Sequence, residues 1–291
     1  MKKKFSAIVI VFIISLALCG EDEKYTFIWG NGKWSDLESK LTYRTTHEIS
    51  FTIPEIGFVK YSGQYFDILE YVGVEGEFWK FKATLTEVEN NNIVNGIEIL
   101  DQYAAAMENN SCYLYVKNSG FDDEIHHVEP VKEEHYYLQE AFEAAYMNIQ
   151  PRHFRYPFGR AEHMLKVGDV VSYTYDSLKF YVNMGSPPSL LSTKITWTFK
   201  KVKHRGGRKI ALVENKESLT LDLRVAVNFM GEKQLMSGRA TGTADATYKW
   251  DLDSDDLLQS HVNINLVGDF EMDGETFNMK IFQRFISKKV K

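Results

Sequence analysis

Leu219-Thr220-Leu221-Asp222-Leu223-Arg224-Val225-Ala226-Val227-Asn228-Phe229 is the stretch that decides the fold. Leu219, Leu221, Leu223, Val225, Val227 and Phe229 fall at every second position, with Thr220, Asp222, Arg224 and Asn228 between them. A helix turns about 100° per residue and would scatter those six side chains around its circumference. A strand alternates sides and puts all six on one face. Alternation of this kind belongs to antiparallel sheets with one covered and one wet face.

The same period recurs elsewhere. Tyr43, Thr45, His47, Ile49, Phe51 and Ile53 share one side of an extended segment; Trp79, Phe81, Ala83 and Leu85 share another, and Ile195, Trp197 and Phe199 a third. Glu75-Gly76, Gly206-Gly207 and Asp273-Gly274 lie between alternating runs and read as hairpin turns. Asn90-Asn91-Asn92 reads as a further loop, because Asn is depleted in strands. Aromatic residues make 14% of the chain and proline only 6 residues, a balance that favours strands. The expected fold is mostly β: two tandem antiparallel, curved, half-barrel-like sheets.

One segment departs from this period. Between Lys132 and Ile149, Leu138, Ala141, Phe142, Ala145, Tyr146 and Ile149 follow helical spacing. Glutamates near its start suit the helix dipole and Pro151 ends it, so a central amphipathic helix is expected. The organisation that follows is a signal peptide over 1–19, a tether over 20–40, a first β domain over 41–131, the helix over 132–150, a linker over 151–164 and a second β domain over 165–291. The flanking halves share short motifs. Leu41-Thr42-Tyr43-Arg44-Thr45 parallels Val171-Ser172-Tyr173-Thr174-Tyr175, Phe78-Trp79-Lys80-Phe81 parallels Thr196-Trp197-Thr198-Phe199, and the polar-ended run from Tyr113 to Gly120 parallels that from Tyr248 to Asp255. These matches predict a degenerate tandem repeat.

With Leu165-Lys166-Val167-Gly168-Asp169 opening the second half and Ser237-Gly238-Arg239-Ala240-Thr241-Gly242 preceding its last hairpins, the chain resembles a family of exported bacterial proteins of uncharacterised activity, with lipoproteins among the expected forms. That resemblance implies two tandem β-rich halves and no particular activity. By architecture alone the chain is also similar to periplasmic lipoprotein carriers, whose curved antiparallel sheets hold acyl chains against a helix. Architecture does not fix function.

The start of the chain sets the expected compartment. Lys2, Lys3 and Lys4 precede an apolar run, and Glu21-Asp22-Glu23 follows it, the order of an export signal. The stretch from Phe5 to Leu18 falls short of the roughly 20 residues a span requires. Two cleavage chemistries fit. Leu16-Ala17-Leu18-Cys19 resembles a lipobox, in which Cys19 would carry lipid, although Leu18 is larger than usual there; ordinary cleavage after Cys19 fits as well. Either leaves Cys112 without an intrachain partner. The expected location is the periplasm or, through Cys19, the outer membrane, and that anchor would be the sole membrane association. A net charge of −6 spread along the chain argues against nucleic-acid binding.

Motifs for catalysis are sparse. Asp251, Asp253 and Asp255 share the spacing of a calcium loop, but Asp256 and Val262 stand where that loop needs Gly and Glu, so a polar turn is the better reading. His126 and His127 are neighbours on an expected strand and face opposite ways, which disfavours a shared metal. No nucleophile elbow, dinucleotide fingerprint or phosphate loop occurs, and no cofactor is expected. Arg152, His153, Arg155, Arg160 and His163 form one basic cluster, read as a charged linker with phosphate or lipid head groups as the competing reading.

One-sided aromatic strands must be covered by a helix, a ligand or another chain. The expected function is therefore non-enzymatic: an envelope protein that holds a hydrophobic ligand or a protein partner. Phe51, Trp79, Phe81, Trp197, Phe199, Leu221, Leu223 and Val225 are the candidate lining residues. A structural or interaction module with filled cores, and a hydrolase, are the competing classes.

Overall fold

The computed structural model of the protein describes residues 23–27, 41–53, 57–99, 107–118, 123–139, 142, 163–180, 189–229, 232–254 and 256–290. Among these the strands are β1 (Tyr25–Phe27), β2 (Leu41–Ile53), β3 (Gly57–Glu75), β4 (Phe78–Val94), β5 (Ile97–Ile99), β6 (Ser111–Asn118), β7 (Asp123–Pro130), β8 (His163–Leu165), β9 (Val170–Phe180), β10 (Ser189–Arg205), β11 (Arg208–Phe229), β12 (Glu232–Asp251), β13 (Asp256–Met272) and β14 (Glu275–Lys289). A 3-10 helix, Glu133–Leu138, follows β7.

Twelve strands form one sheet, in the order β7-β6-β4-β3-β2-β14-β13-β12-β11-β10-β9, with β5 added on β4. Every neighbouring pair is antiparallel. Among the described residues nothing pairs β7 with β9, so the sheet is open. Where two sheets were expected, the halves are joined by β14 and β2, with Phe285 opposite His47 and Ser287 opposite Thr45. The Thr45 and Ser287 hydroxyls share a 3.0 Å hydrogen bond across that seam. The physical reason is the cost of an unpaired edge: each strand would otherwise leave a long row of backbone groups unpaired. Of the strands that open the two halves, β2 lies mid-sheet beside β14 and β9 lies at an edge.

Alternation shapes each strand. Along β12, Ala240, Ala244, Ala246, Tyr248 and Trp250 are buried, while Asp245, Thr247 and Lys249 are exposed. β10 buries Thr193, Ile195, Trp197 and Phe199, and β4 buries Phe81, Ala83 and Leu85. Burying each large side chain contributes roughly 1.5–3 kcal/mol, which fixes register because a one-residue slip would turn them all outward.

All three expected hairpin turns are present. Gly206 and Gly207 have φ of 58° and 78°, and Asp273 and Gly274 have 54° and 81°, the paired positive φ values of tight two-residue connections. The expected loop at Asn90-Asn91-Asn92 is instead strand, paired with Gly63, Ser62 and Tyr61. The turn lies just beyond, at Asn95-Gly96, where φ is 50° and 82°.

The expected central helix over 132–150 is not found among the described residues. Its described start is the 3-10 turn, and apart from Gln139 and Phe142 the remainder lies outside them. His135-Tyr136-Tyr137 are poor helix formers, and Tyr136 and Tyr137 are exposed. The i, i+4 pair Leu138 and Phe142 is nevertheless fully buried, and the Gln139 amide donates to the Val128 carbonyl of β7.

Candidate functional site: the inward face of the large sheet

The buried side chains divide into two clusters. The first contains Leu69, Phe81, Leu114, Val128, Trp197, Phe199, Tyr248 and Trp250 of the large sheet, together with Phe27 of β1, Leu165 of β8, Leu138 and Phe142. A second layer therefore lies on it: β1 pairs with β8, and Phe27 and Tyr25 meet the Phe199 ring edge-on at 5.0 and 5.6 Å. The second cluster contains Leu219, Val225, Met236, Ala240, Ala244, Leu266, Phe270, Phe277 and Met279, with Phe51, Leu191, Leu221, Leu223, Ile264, Met272 and Ile281 half-buried against it. Every one of these belongs to the large sheet. Among the described residues, no element of a second layer joins this cluster.

The eight lining candidates separate along the same line. Phe81, Trp197 and Phe199 are buried in the first cluster, with Trp79 half-buried against it. Val225 is buried in the second cluster, with Phe51, Leu221 and Leu223 half-buried beside it. The structure does not gather all eight into one place. Cys19 lies outside the described residues, as do Arg152, His153, Arg155 and Arg160; the His163 ring bonds the Tyr173 hydroxyl at 3.1 Å.

Where the clusters meet, the same face also carries polar side chains. Across one row of paired residues run Trp197, Asn215, Ala246, Val262, Phe285, His47, Gly63 and Asn90. The next row carries Ile195, Glu217, Ala244, Ile264, Gln283, Ile49, Tyr61 and Asn92. Asn215 and Glu217 are only 2% and 7% exposed. Neither amide atom of Asn215 has a hydrogen-bond partner, nor has the buried Thr193 hydroxyl. An unmet buried amide costs about 1–3 kcal/mol. Sequence reading missed this polar belt. Its signal was present: Asn215 and Glu217 interrupt the apolar alternation Ala211, Val213, …, Leu219 at inward positions.

The floor beside this belt is built from small residues. β12 presents Gly238, Ala240, Gly242, Ala244 and Ala246 inward. At Gly242 a Cβ would stand 1.8 Å from the Asn265 carbonyl oxygen, so β12 and β13 approach more closely than any side chain permits.

Deeply buried titratable groups sit in the first cluster. Burial, then the nearby Asp256 and Asp67 carboxyls, pushes the Tyr43 phenol well above its usual range. Burial and Asp67 likewise raise the Cys112 thiol, which makes it a poor nucleophile. On the outward face, burial and then Arg284 lower the His261 imidazole, against an Asn263 hydrogen bond. The aspartate-rich turn is used internally: Asp251 accepts the Asp253 and Ser254 amides and meets Arg208, while Asp253 accepts the Lys209 amide. Among the described residues no three metal-ligating side chains converge. His127 stands against the Tyr115 ring, with centroids 5.5 Å apart.

No protein-family model matches the chain, and no curated protein matches it either.

Proposed function

We propose that the chain is a non-enzymatic, exported cell-envelope protein that holds a hydrophobic or lipid-like ligand against the inward face of its large sheet. The observation that carries this reading is the asymmetry of the two clusters. The first has a second layer; the second is formed by sheet side chains alone among the described residues. A hydrocarbon ligand fits an apolar sheet face of this kind because it makes no hydrogen-bonding demands. The lysine-led apolar start of the chain is consistent with delivery to the envelope.

Binding of the neutral dye N-phenyl-1-naphthylamine tests the proposal. The wild-type protein is expected to enhance its fluorescence saturably. Leu221→Glu, in the second cluster, should weaken binding by about tenfold or more, since it places a charge among apolar groups. Thr241→Glu, on the exposed side of β12, should leave it unchanged. Absence of saturable binding by the wild type, or equal binding by Leu221→Glu, would favour a filled-core interaction module instead.

A further inference from the structure

We infer that the tip of the β10–β11 hairpin is a docking surface for an anionic phospholipid bilayer, a second membrane contact beside the one expected at Cys19. The inference goes beyond the carrier reading and does not depend on it.

The hairpin concentrates cations in a chain whose net charge is −6. Lys200, Lys201, Lys203, Arg205, Arg208 and Lys209 follow one another with no acid among them. Strand register sorts them. Val202 lies opposite the buried Ala211 and packs on the first cluster, so Lys201, Lys203 and Arg205 leave the strand on the outward side. Arg208, directly across from Arg205, joins them there, and all four are exposed. Part of the charge is met locally. Lys200 pairs with Glu214 at 3.2 Å, Arg208 with Asp251 at 3.3 Å and Lys209 with Glu23 at 2.9 Å. Among the described residues, Lys201, Lys203 and Arg205 have no acidic partner. Like charges directly opposite each other, as at Arg205 and Arg208, oppose strand pairing. The fold therefore does not call for this arrangement, whereas an anionic surface does.

The occupant follows from position. Lys209 holds Glu23, and its ammonium also lies 5.6 Å from the Tyr25 ring centroid. Glu23 is thereby fixed at the base of the hairpin. Cys19 precedes it by four residues, which span at most about 14 Å. An acyl chain at Cys19 would bring the membrane surface within reach of the unpaired cations. One acyl chain alone anchors a protein only marginally, and a basic patch beside it makes the attachment stable. Exposed Val167 and Val170 add an apolar rim, flanking the Gly168 and Asp169 backbone groups that bond Phe199 at the hairpin's base.

Vesicle flotation tests the inference, using the full mature chain from Gly20 without an acyl group. The vesicles are phosphatidylcholine alone, or phosphatidylcholine with about one-third phosphatidylglycerol. The wild type is expected to float with the anionic vesicles, not with the neutral ones, and to be released as salt is raised. Each unpaired cation near such a surface contributes a factor of about five. The triple variant Lys201→Gln, Lys203→Gln, Arg205→Gln should therefore bind on the order of 100-fold more weakly. A second triple variant, Lys194→Gln, Arg239→Gln, Lys280→Gln, removes the same charge from exposed positions elsewhere on the sheet and should lose less than about fivefold. The hairpin variant should bind N-phenyl-1-naphthylamine as the wild type does, which reports its folding and keeps the carrier reading separately testable. No binding to anionic vesicles, equal binding to both kinds, or equal loss in the two triple variants would overturn the inference and leave the carrier reading standing. So would a hairpin variant that keeps vesicle binding while losing affinity for heparin, since that would assign the tip to an anionic polymer.

Discussion

Single side chains reveal how the inward face is weighted. Phe81 is 1% exposed and packs at 5.6 Å, edge to face, on Tyr71. Phe81→Ala is expected to cost about 3–5 kcal/mol, read as a shift of the urea midpoint. Thr196→Ala, on the opposite face of β10, should change it by less than about 0.5 kcal/mol. The buried Tyr43 phenol has a signed consequence. Its folded-state value lies above the ordinary value of about 10, so the unfolded chain loses this proton first as pH rises. Its contribution to stability is complete below about pH 10 and declines above it. Tyr43→Phe should flatten part of the alkaline fall in stability between pH 9 and 11; Tyr25, Tyr115 and Tyr173, also raised chiefly by burial, keep the remainder. A variant with an unaltered alkaline slope would contradict the burial of this hydroxyl. His261 acts with the opposite sign: lowered in the fold, it takes stability away as pH drops below about 6.5, and His261→Asn should reduce that acid sensitivity.

The strands show which parts of this architecture are legible in sequence. Period-two alternation identifies β4, β10 and β11 because their inward residues are apolar and their outward ones charged. Glycine-bearing hairpins at Gly206-Gly207 and Asp273-Gly274 are equally plain, since their φ values exclude most residues. Asn90-Asn91-Asn92 misleads because propensity says loop while pairing with β3 imposes strand. The segment from Lys132 is harder to read: its described start is a 3-10 turn where an α-helix was expected, and the helically spaced pair Leu138 and Phe142 is buried. The polar belt escapes a search for aromatic surfaces, although Asn215 and Glu217 stand in plain alternation. At this scale Gly242 is the sharpest probe. Gly242→Val would drive a side chain into the Asn265 carbonyl, 1.8 Å from its first carbon, so β12 and β13 must part. Its cost should be at least about 1–3 kcal/mol. Hydrogen exchange should show lost amide protection on β12 and β13 before β3 and β4; uniform loss would contradict the close approach.

For the whole molecule, the decisive contact joins the beginning of the large sheet to the end of the chain. β2 and β14 are far apart in sequence, and no local pattern announces that they pair; nonlocal pairing of this type is chosen by the two edges it removes. The expectation of two sheets fails for that reason. It follows that strands from both halves share one cooperative unit. A calorimetric scan should show a single transition whose calorimetric and van't Hoff enthalpies agree, and two separate transitions would argue for independent halves.

The face that this single sheet presents is the centre of the account. Native mass spectrometry of the mature protein, released gently from its own envelope, tests it most directly. The account predicts a polypeptide carrying the added mass of one acyl-chain ligand, lost when the protein is denatured and so distinct from lipid joined covalently at Cys19. Bare polypeptide mass, under conditions that preserve noncovalent lipid complexes of other proteins, would contradict it.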